Sequence, residues 1–207
     1  LSVNIDRIWR RRAVNEVRRA NPRRILDVAT GTGDLAIALA RRIRDVQVMG
    51  VDLSEEMLAV ARRKVEARGL DSRIVLERGD AEHLEVADAS VDAATVAFGV
   101  RNFGDLAAGL RELARTIRPG GKVVILEFSR PRNRVFRALY EFYSYKILPR
   151  IGGLVSRDKR AYEYLPASVG EFPAPEEFMA MMARAGFRNC RARSQSFGIA
   201  QIYIGER

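Results

Sequence analysis

Five short apolar runs, separated by stretches of helical periodicity, constrain this chain more than any other feature. Ile25-Leu26-Asp27-Val28, Val46–Val51, Ile74-Val75-Leu76, Val91–Ala97 and Val123–Phe128 read as strands. Each is nearly continuous in its apolar residues, the pattern of strands buried on both faces. Between them lie helical patterns over 34–44, from Ser54 to Arg68, and from Asp105 to Ile117. Ser54, Glu55 and Glu56 open the second helix and Gly69 ends it; Pro119-Gly120-Gly121 stops the third. Strands alternating with helices of about 10–15 residues predict a parallel sheet with helices on both faces. An amphipathic helix over 4–20, carried by Ile5, Ile8, Trp9, Ala13 and Val17 and stopped by Pro22, precedes the first strand. Residues 130–168 are aromatic and basic with no strand signal. A helix from Pro175 to Ala185, capped by Gly186, then leads to strands over 188–194 and 199–205, expected to form a hairpin at one edge. The expected fold is α/β, a doubly wound and mostly parallel sheet of seven strands, with an antiparallel C-terminal hairpin and a helical lid insertion.

At 207 residues the chain fits one domain. Its expected parts are an N-terminal helix (1–20), a cofactor-binding core (21–129), a helical substrate lid (130–170) and a C-terminal helix and hairpin (171–207). The single cysteine, Cys190, excludes a disulfide scaffold and a cysteine zinc cluster. The single histidine, His83, excludes a metal site built on histidines and reads as a surface or capping residue. No metal is expected. No apolar run approaches membrane-spanning length and no signal peptide is visible, so the expected compartment is the cytoplasm. The net charge of +10, carried mostly by 32 arginines, favours a polyanionic neighbour or reflects composition alone.

The chemistry sits between the first strand and its helix, in Asp27-Val28-Ala29-Thr30-Gly31-Thr32-Gly33-Asp34. Glycines there let a ligand approach the backbone, and the helix behind offers unpaired N–H groups. Asp52 follows Gly33 by 19 residues, at the end of the second strand, where an acid accepts hydrogen bonds from ribose hydroxyls. A nucleoside-containing cofactor follows; a tight turn with no ligand is the plainer alternative. Ala36 stands where a dinucleotide motif wants its third glycine, and Asp34 at the helix head would repel a pyrophosphate. Asp27 and Asp34 instead suit S-adenosylmethionine, with its sulfonium, its amino group and no phosphate. Asp80, in Gly79-Asp80-Ala81 after the third strand, is placed for an adenine amine or serves as an N-cap.

These motifs resemble a class I S-adenosylmethionine-dependent methyltransferase of Rossmann-like fold. Phe98-Gly99-Val100-Arg101-Asn102, Leu126 to Pro131, Tyr143 to Arg150 and Tyr162 to Leu165 narrow the resemblance to the ubiquinone/menaquinone biosynthesis C-methyltransferase family, across nearly the whole chain. Ala29 replaces a glycine usual in methyltransferases at large, which this family tolerates. Family members normally begin upstream of Leu1, with a segment that helps close the active site.

The resemblance implies methyl transfer from S-adenosyl-L-methionine to a ring carbon of a prenylated quinol. Demethylmenaquinol is the leading acceptor, on the likeness of Ser196 to Tyr203; a ubiquinone-precursor benzoquinol is the alternative. Cofactor contacts are expected from Asp27, Ala29, Thr30, Gly31, Thr32, Gly33, Asp52, Leu53, Met57, Gly79, Asp80, Ala81, Phe98 and Gly99. The ring carbon becomes nucleophilic only when a ring hydroxyl loses its proton. Arg101, permanently cationic, is expected to stabilise the phenolate, Asn102 to orient a hydroxyl or water, and Asp80 or another carboxylate to take the proton. A salt bridge to Asp105 is the other use of Arg101.

Tyr140, Tyr143, Ile147 and Tyr164, on an apolar and aromatic helix face or near it, are expected to receive the prenyl tail; core packing is the alternative. Arginines around them would face anionic lipid, giving peripheral contact at the inner face of the membrane. A homodimer is left open. An RNA methyltransferase is the charge-inspired rival, but Ala97-Phe98-Gly99-Val100 lacks the proline pair typical of amino-group methylation, so nucleic acid is not expected as a partner. A quinone-binding or scaffolding module is the non-enzymatic rival.

Overall fold

A computed structural model describes residues 5–131 and 169–207. The chain runs α1 (Ile5–Arg18), β1 (Arg24–Val28), α2 (Asp34–Arg42), β2 (Gln47–Asp52), α3 (Glu55–Glu66), β3 (Ile74–Arg78), β4 (Val91–Ala97), α4 (Leu106–Thr116), β5 (Ile117–Phe128), α5 (Pro175–Arg184), β6 (Arg188–Gln195) and β7 (Ala200–Glu206). The expected lid lies largely outside the described residues, as do Tyr140, Tyr143, Ile147 and Tyr164.

The strands form one seven-stranded sheet in the order β3-β2-β1-β4-β5-β7-β6. Neighbours from β3 to β5 are parallel, and β7 runs antiparallel to both β5 and β6. The chain leaves β1 in one direction and returns to β4 on its other side, so β1 and β4 flank the point where the order reverses. A crevice opens there at the carboxyl ends of the strands. One apolar layer joins α1, α2 and Val65 of α3 to the sheet; the other joins α4 and α5 to its opposite face. The central strands are buried on both faces: Leu26, Val28, Ala94, Val96 and Ile125 belong to one layer, Ile25, Ala93, Val124 and Leu126 to the other, whereas Val75 on the edge strand β3 is exposed, contrary to the expectation from its apolar run.

Local rules set the helix ends. Ser54 and Asp105 cap α3 and α4 by accepting from the N–H groups of Met57 and Ala108. Gly69, at φ 61°, turns the chain after α3. The fifth strand differs from expectation. It starts at Ile117 and runs through Pro119-Gly120-Gly121, because the C-terminus reaches that segment: Gly120 N–H donates to Arg207 O at 2.9 Å and Arg207 N–H to Gly121 O at 3.0 Å. The final hairpin forms as expected, but β7 lies inside the sheet against β5, leaving β6 as the edge.

Helix α1 is fastened at the far end of the sequence. Trp9 Nε1 donates to Ser196 Oγ at 3.0 Å, Arg12 to Gln195 Oε1 at 2.6 Å, and the buried Glu16 pairs with Arg19 and Arg193. Its first turns therefore lie over the carboxyl ends of β4 and β5, where Trp9 meets the rings of Phe98 and Phe128. Among the described residues no helix is long and apolar enough to cross a membrane. Leu113, fully buried between α4 and the sheet, tests the packing: Leu113→Ala is expected to lower unfolding free energy by about 2–5 kcal/mol in urea titration, with donor binding retained.

Candidate active site

Two adjoining cavities occupy the crevice, of about 330 and 290 Å³. Ala29, Asp52, Gly99 and Asn102 line both and form the ridge between them. The first cavity adds the glycine turn, Asp27, Met57, Phe98 and Arg10; the second adds Leu53, Gly79, Asp80 and Ala81. All the expected cofactor residues except Gly33 therefore line one cavity or the other. Gly33, at φ 76°, stands at the N-cap of α2, and a Cβ added there would lie 3.1 Å from Ala61 Cβ on α3.

The turn is held by Asp52. Its Oδ2 accepts from Gly31 N–H at 2.7 Å and its Oδ1 from Ser54 N–H at 2.9 Å, and the remaining lone pairs are free for a diol. Its backbone carbonyl accepts from Gly79 N–H at 3.1 Å, tying the second cavity to the first. Gly99 lets the chain after β4 pass Ala29: a Cβ there would lie 2.4 Å from the Ala29 Cβ. Lys64 Nζ bonds Thr32 Oγ1 at 2.9 Å and Asp34 Oδ1 at 2.6 Å, so Asp34 is already neutralised. Asp27 is then the acid left to meet a cationic ligand.

Asp27 is 1 % exposed and accepts from Thr30 Oγ1 at 2.7 Å and Thr95 Oγ1 at 2.6 Å. Burial pushes its carboxyl up to about 6, with the two threonine bonds and the charge of Arg10 pulling the other way. Among the described residues it has no ion-pair partner, so it offers the floor of the cavity to an ammonium group. At the mouth, Leu53 is 61 % and Met57 43 % exposed, apolar surface that a nucleoside would cover. A buried acid, a free carboxylate edge for a ribose and apolar walls on both sides fit S-adenosylmethionine.

Asp80 lines the second cavity and accepts from Glu82 N–H at 2.9 Å, the short turn that was its alternative use. It shares that cavity with Asn102, whereas Arg101 lines neither cavity. Arg101 does not bridge to Asp105. Its guanidinium donates to Glu127 Oε1 at 2.7 Å and to Phe98 O at 2.6 Å, and it lies 5.5 Å from the centre of the Phe128 ring. Glu127 is fully buried; burial pushes its carboxyl up while Arg101 pulls it down. The pair forms at the carboxyl ends of β4 and β5 because Phe98, at φ 61°, turns the chain inward there. Reading the sequence missed Glu127, although an acid closing an otherwise apolar strand was a signal. Lys64 and Arg10 carried none among so many basic residues. His83 is exposed, Cys190 is half-buried, and no group of acidic, histidine or cysteine side chains among the described residues could hold a metal.

A model of the ubiE/COQ5 methyltransferase family matches residues 1–207. The chain belongs to that family. It is 50 % identical over 208 residues to the ubiquinone/menaquinone biosynthesis C-methyltransferase UbiE of Geobacter sulfurreducens, covering 100 % of this chain and 81 % of the relative. It is 49 % identical over 207 residues to the demethylmenaquinone methyltransferase of Thermus thermophilus, covering 100 % of this chain and 93 % of the relative. The fold matches a crystal structure of a SAM-dependent methyltransferase from Aquifex aeolicus at TM-score 0.67 and 18 % identity, over 94 % of this chain and 89 % of that one. The chain is a methyltransferase, with S-adenosylmethionine as its methyl donor.

The raised carboxyl of Asp27 gives a pH signature. Its folded value lies above the ordinary 3.8, so the stability it contributes is whole below about pH 4 and lost as pH rises through about 6. Donor binding runs the other way, because an ammonium group needs the ionised carboxylate. Affinity for S-adenosylhomocysteine is expected to fall about tenfold between pH 7 and pH 5, and Asp27→Asn to flatten that dependence in calorimetric titration.

Proposed function

We propose that this protein methylates a ring carbon of a prenylated quinol, with demethylmenaquinol the preferred acceptor and a benzoquinol precursor of ubiquinone the second. The observation that carries the reading is identity near one half, along the full chain, to relatives named for that chemistry. S-Adenosylmethionine, when bound, supplies an electrophilic methyl group on a sulfonium. Asp27, Asp52 and the glycine turn bind it, and Asp80 serves its adenine end.

The acceptor side is assigned to Asn102, which lines both cavities, and to Phe98, which lines the first. Of these rings Phe98 lines the first cavity; it packs on Phe128 at 4.5 Å between centroids, and the buried Trp9 backs both. Asn102 orients a ring hydroxyl or a water. Arg101 acts as a positioning residue: paired with the buried Glu127 and donating to Phe98 O, it holds the turn after β4 that carries Phe98 and Asn102. Asp80, in the adenine cavity, is the weaker candidate for proton acceptor. The prenyl tail is assigned to Tyr140, Tyr143, Ile147 and Tyr164 on sequence grounds.

Peripheral contact with an anionic membrane, from the cytoplasmic side, is part of this reading. Arg7, Arg11, Arg41 and Arg42 surround a groove of about 750 Å³ between α1 and α2, and none has an acidic partner among the described residues. Flotation with phosphatidylglycerol vesicles is expected at low ionic strength and release on adding salt; no flotation at low salt removes this part.

The deciding experiment is labelled methyl transfer to reduced naphthoquinone and benzoquinone acceptors. Both are expected to react, the naphthoquinol faster; no transfer to either overturns the proposal. Removing one member of a buried ion pair costs about 3–5 kcal/mol, so Arg101→Lys is the informative variant. It keeps the charge, loses the fork, and is expected to lower kcat about tenfold or more with donor affinity unchanged.

A further inference from the structure

The first cavity carries three acids, Asp27, Asp34 and Asp52, and among the described residues a single basic side chain, Arg10. Arg10 belongs to α1, outside every motif in the core, yet it reaches the glycine turn and the head of α2. Its place is fixed from several sides. It pairs with Asp6 one turn earlier and lies 5.2 Å from the centre of the Phe98 ring. Phe98 is itself stacked on Phe128 and touched by Trp9, which Ser196 fastens from the other end of the chain. A guanidinium has five N–H donors, and Asp6 engages only one of its nitrogens. Asp34, the other acid within reach of this end, is already paired with Lys64.

One wall of the cavity therefore offers a cation with donors to spare, and its floor offers the buried carboxylate of Asp27. A ligand that satisfies both carries a negative and a positive group a few bonds apart, which describes the zwitterionic end of an α-amino acid. We propose that Arg10 reads the α-carboxylate of the methyl donor's amino-acid end while Asp27 takes the ammonium, making α1 part of the donor site. The charge of Arg10 acting on Asp27 places the two groups in one electrostatic neighbourhood. A planar fork suits a carboxylate, and the interaction is charge-assisted in a half-enclosed cavity. The rim arginines Arg7, Arg11, Arg41 and Arg42 line the adjoining groove but not this cavity, so they add field without contact.

The inference rests on the donor occupying this cleft, and two ligands separate it from that premise. S-Adenosylhomocysteine has the amino-acid end; 5′-methylthioadenosine shares its nucleoside and sulfur but lacks it. Both are titrated calorimetrically into the full chain, the Arg10→Ala and Arg10→Lys variants, and Arg41→Ala as the groove control. Arg10→Ala is expected to weaken S-adenosylhomocysteine about tenfold or more and to leave methylthioadenosine within about twofold, with Arg10→Lys recovering part of the loss. Arg41→Ala is expected to change neither. Equal weakening of both ligands would mean that Arg10 only packs α1 on Phe98, and overturns the inference, as does no change in either. Failure of the wild-type chain to bind either ligand overturns the placement of the donor itself.

Discussion

The carboxylate of Asp52 is the joint on which the crevice depends. It closes β2, and its two oxygens take the N–H groups of Gly31 and Ser54, while its own carbonyl takes that of Gly79. One residue thus fixes the glycine turn, the start of α3 and the end of β3 relative to one another. Backbone N–H groups that would otherwise point into an open cleft are satisfied before any ligand arrives. The turn is then preorganised, and binding need not order it. The position follows from topology: β2 is the neighbour of β1 on the side away from β4, so its last residue lies beside the turn that follows β1.

Buried acids set the chemistry of a chain that is basic overall. Asp27 sits under the donor cleft without an ion-pair partner among the described residues, and desolvation raises its carboxyl toward neutrality. Glu127 sits under the acceptor side and is matched by Arg101. The Tyr203 hydroxyl, unpartnered among the described residues, is pushed up by burial first and then by the charge of Glu127. Glu16 does the same structural work for α1, drawing Arg19 and Arg193 to one point. Most of the other arginines among the described residues are exposed, where isolated pairs contribute little. The few that matter are those carried to an acid or a cavity by the packing of their element.

Fastening α1 across the carboxyl ends of β4 and β5 joins these parts. Trp9 packs on Phe98 and Phe128 and so fixes α1, and with it Arg10, beside the first cavity. The contacts that hold α1 come from residues 193–196, the turn into β7 and the strand before it. The two ends of the described chain therefore close the site together.

The alternation of apolar runs and amphipathic helices was enough to determine the α/β class, the strand positions and the glycine turn with its distant acid. These depend on local propensity and on burial on both faces, which leave marks in the order of residues. Asp27, Asp52, Asp80 and Asn102 were legible for the same reason, since each stands at a strand end or just beyond it. Strand order, the insertion of β7 beside β5 and the early start of β5 were decided by pairing between distant segments, for which one sequence carries no local signal. The partner of Arg101 was likewise decided in space: Asp105 was nearer along the chain, but Glu127 closes the neighbouring strand and is buried, so it takes the guanidinium. Arg10 and Lys64 acquired their places only when α1 and α3 packed, because a charge among 36 basic residues has no distinguishing context until the fold brings an acid or a cavity to it.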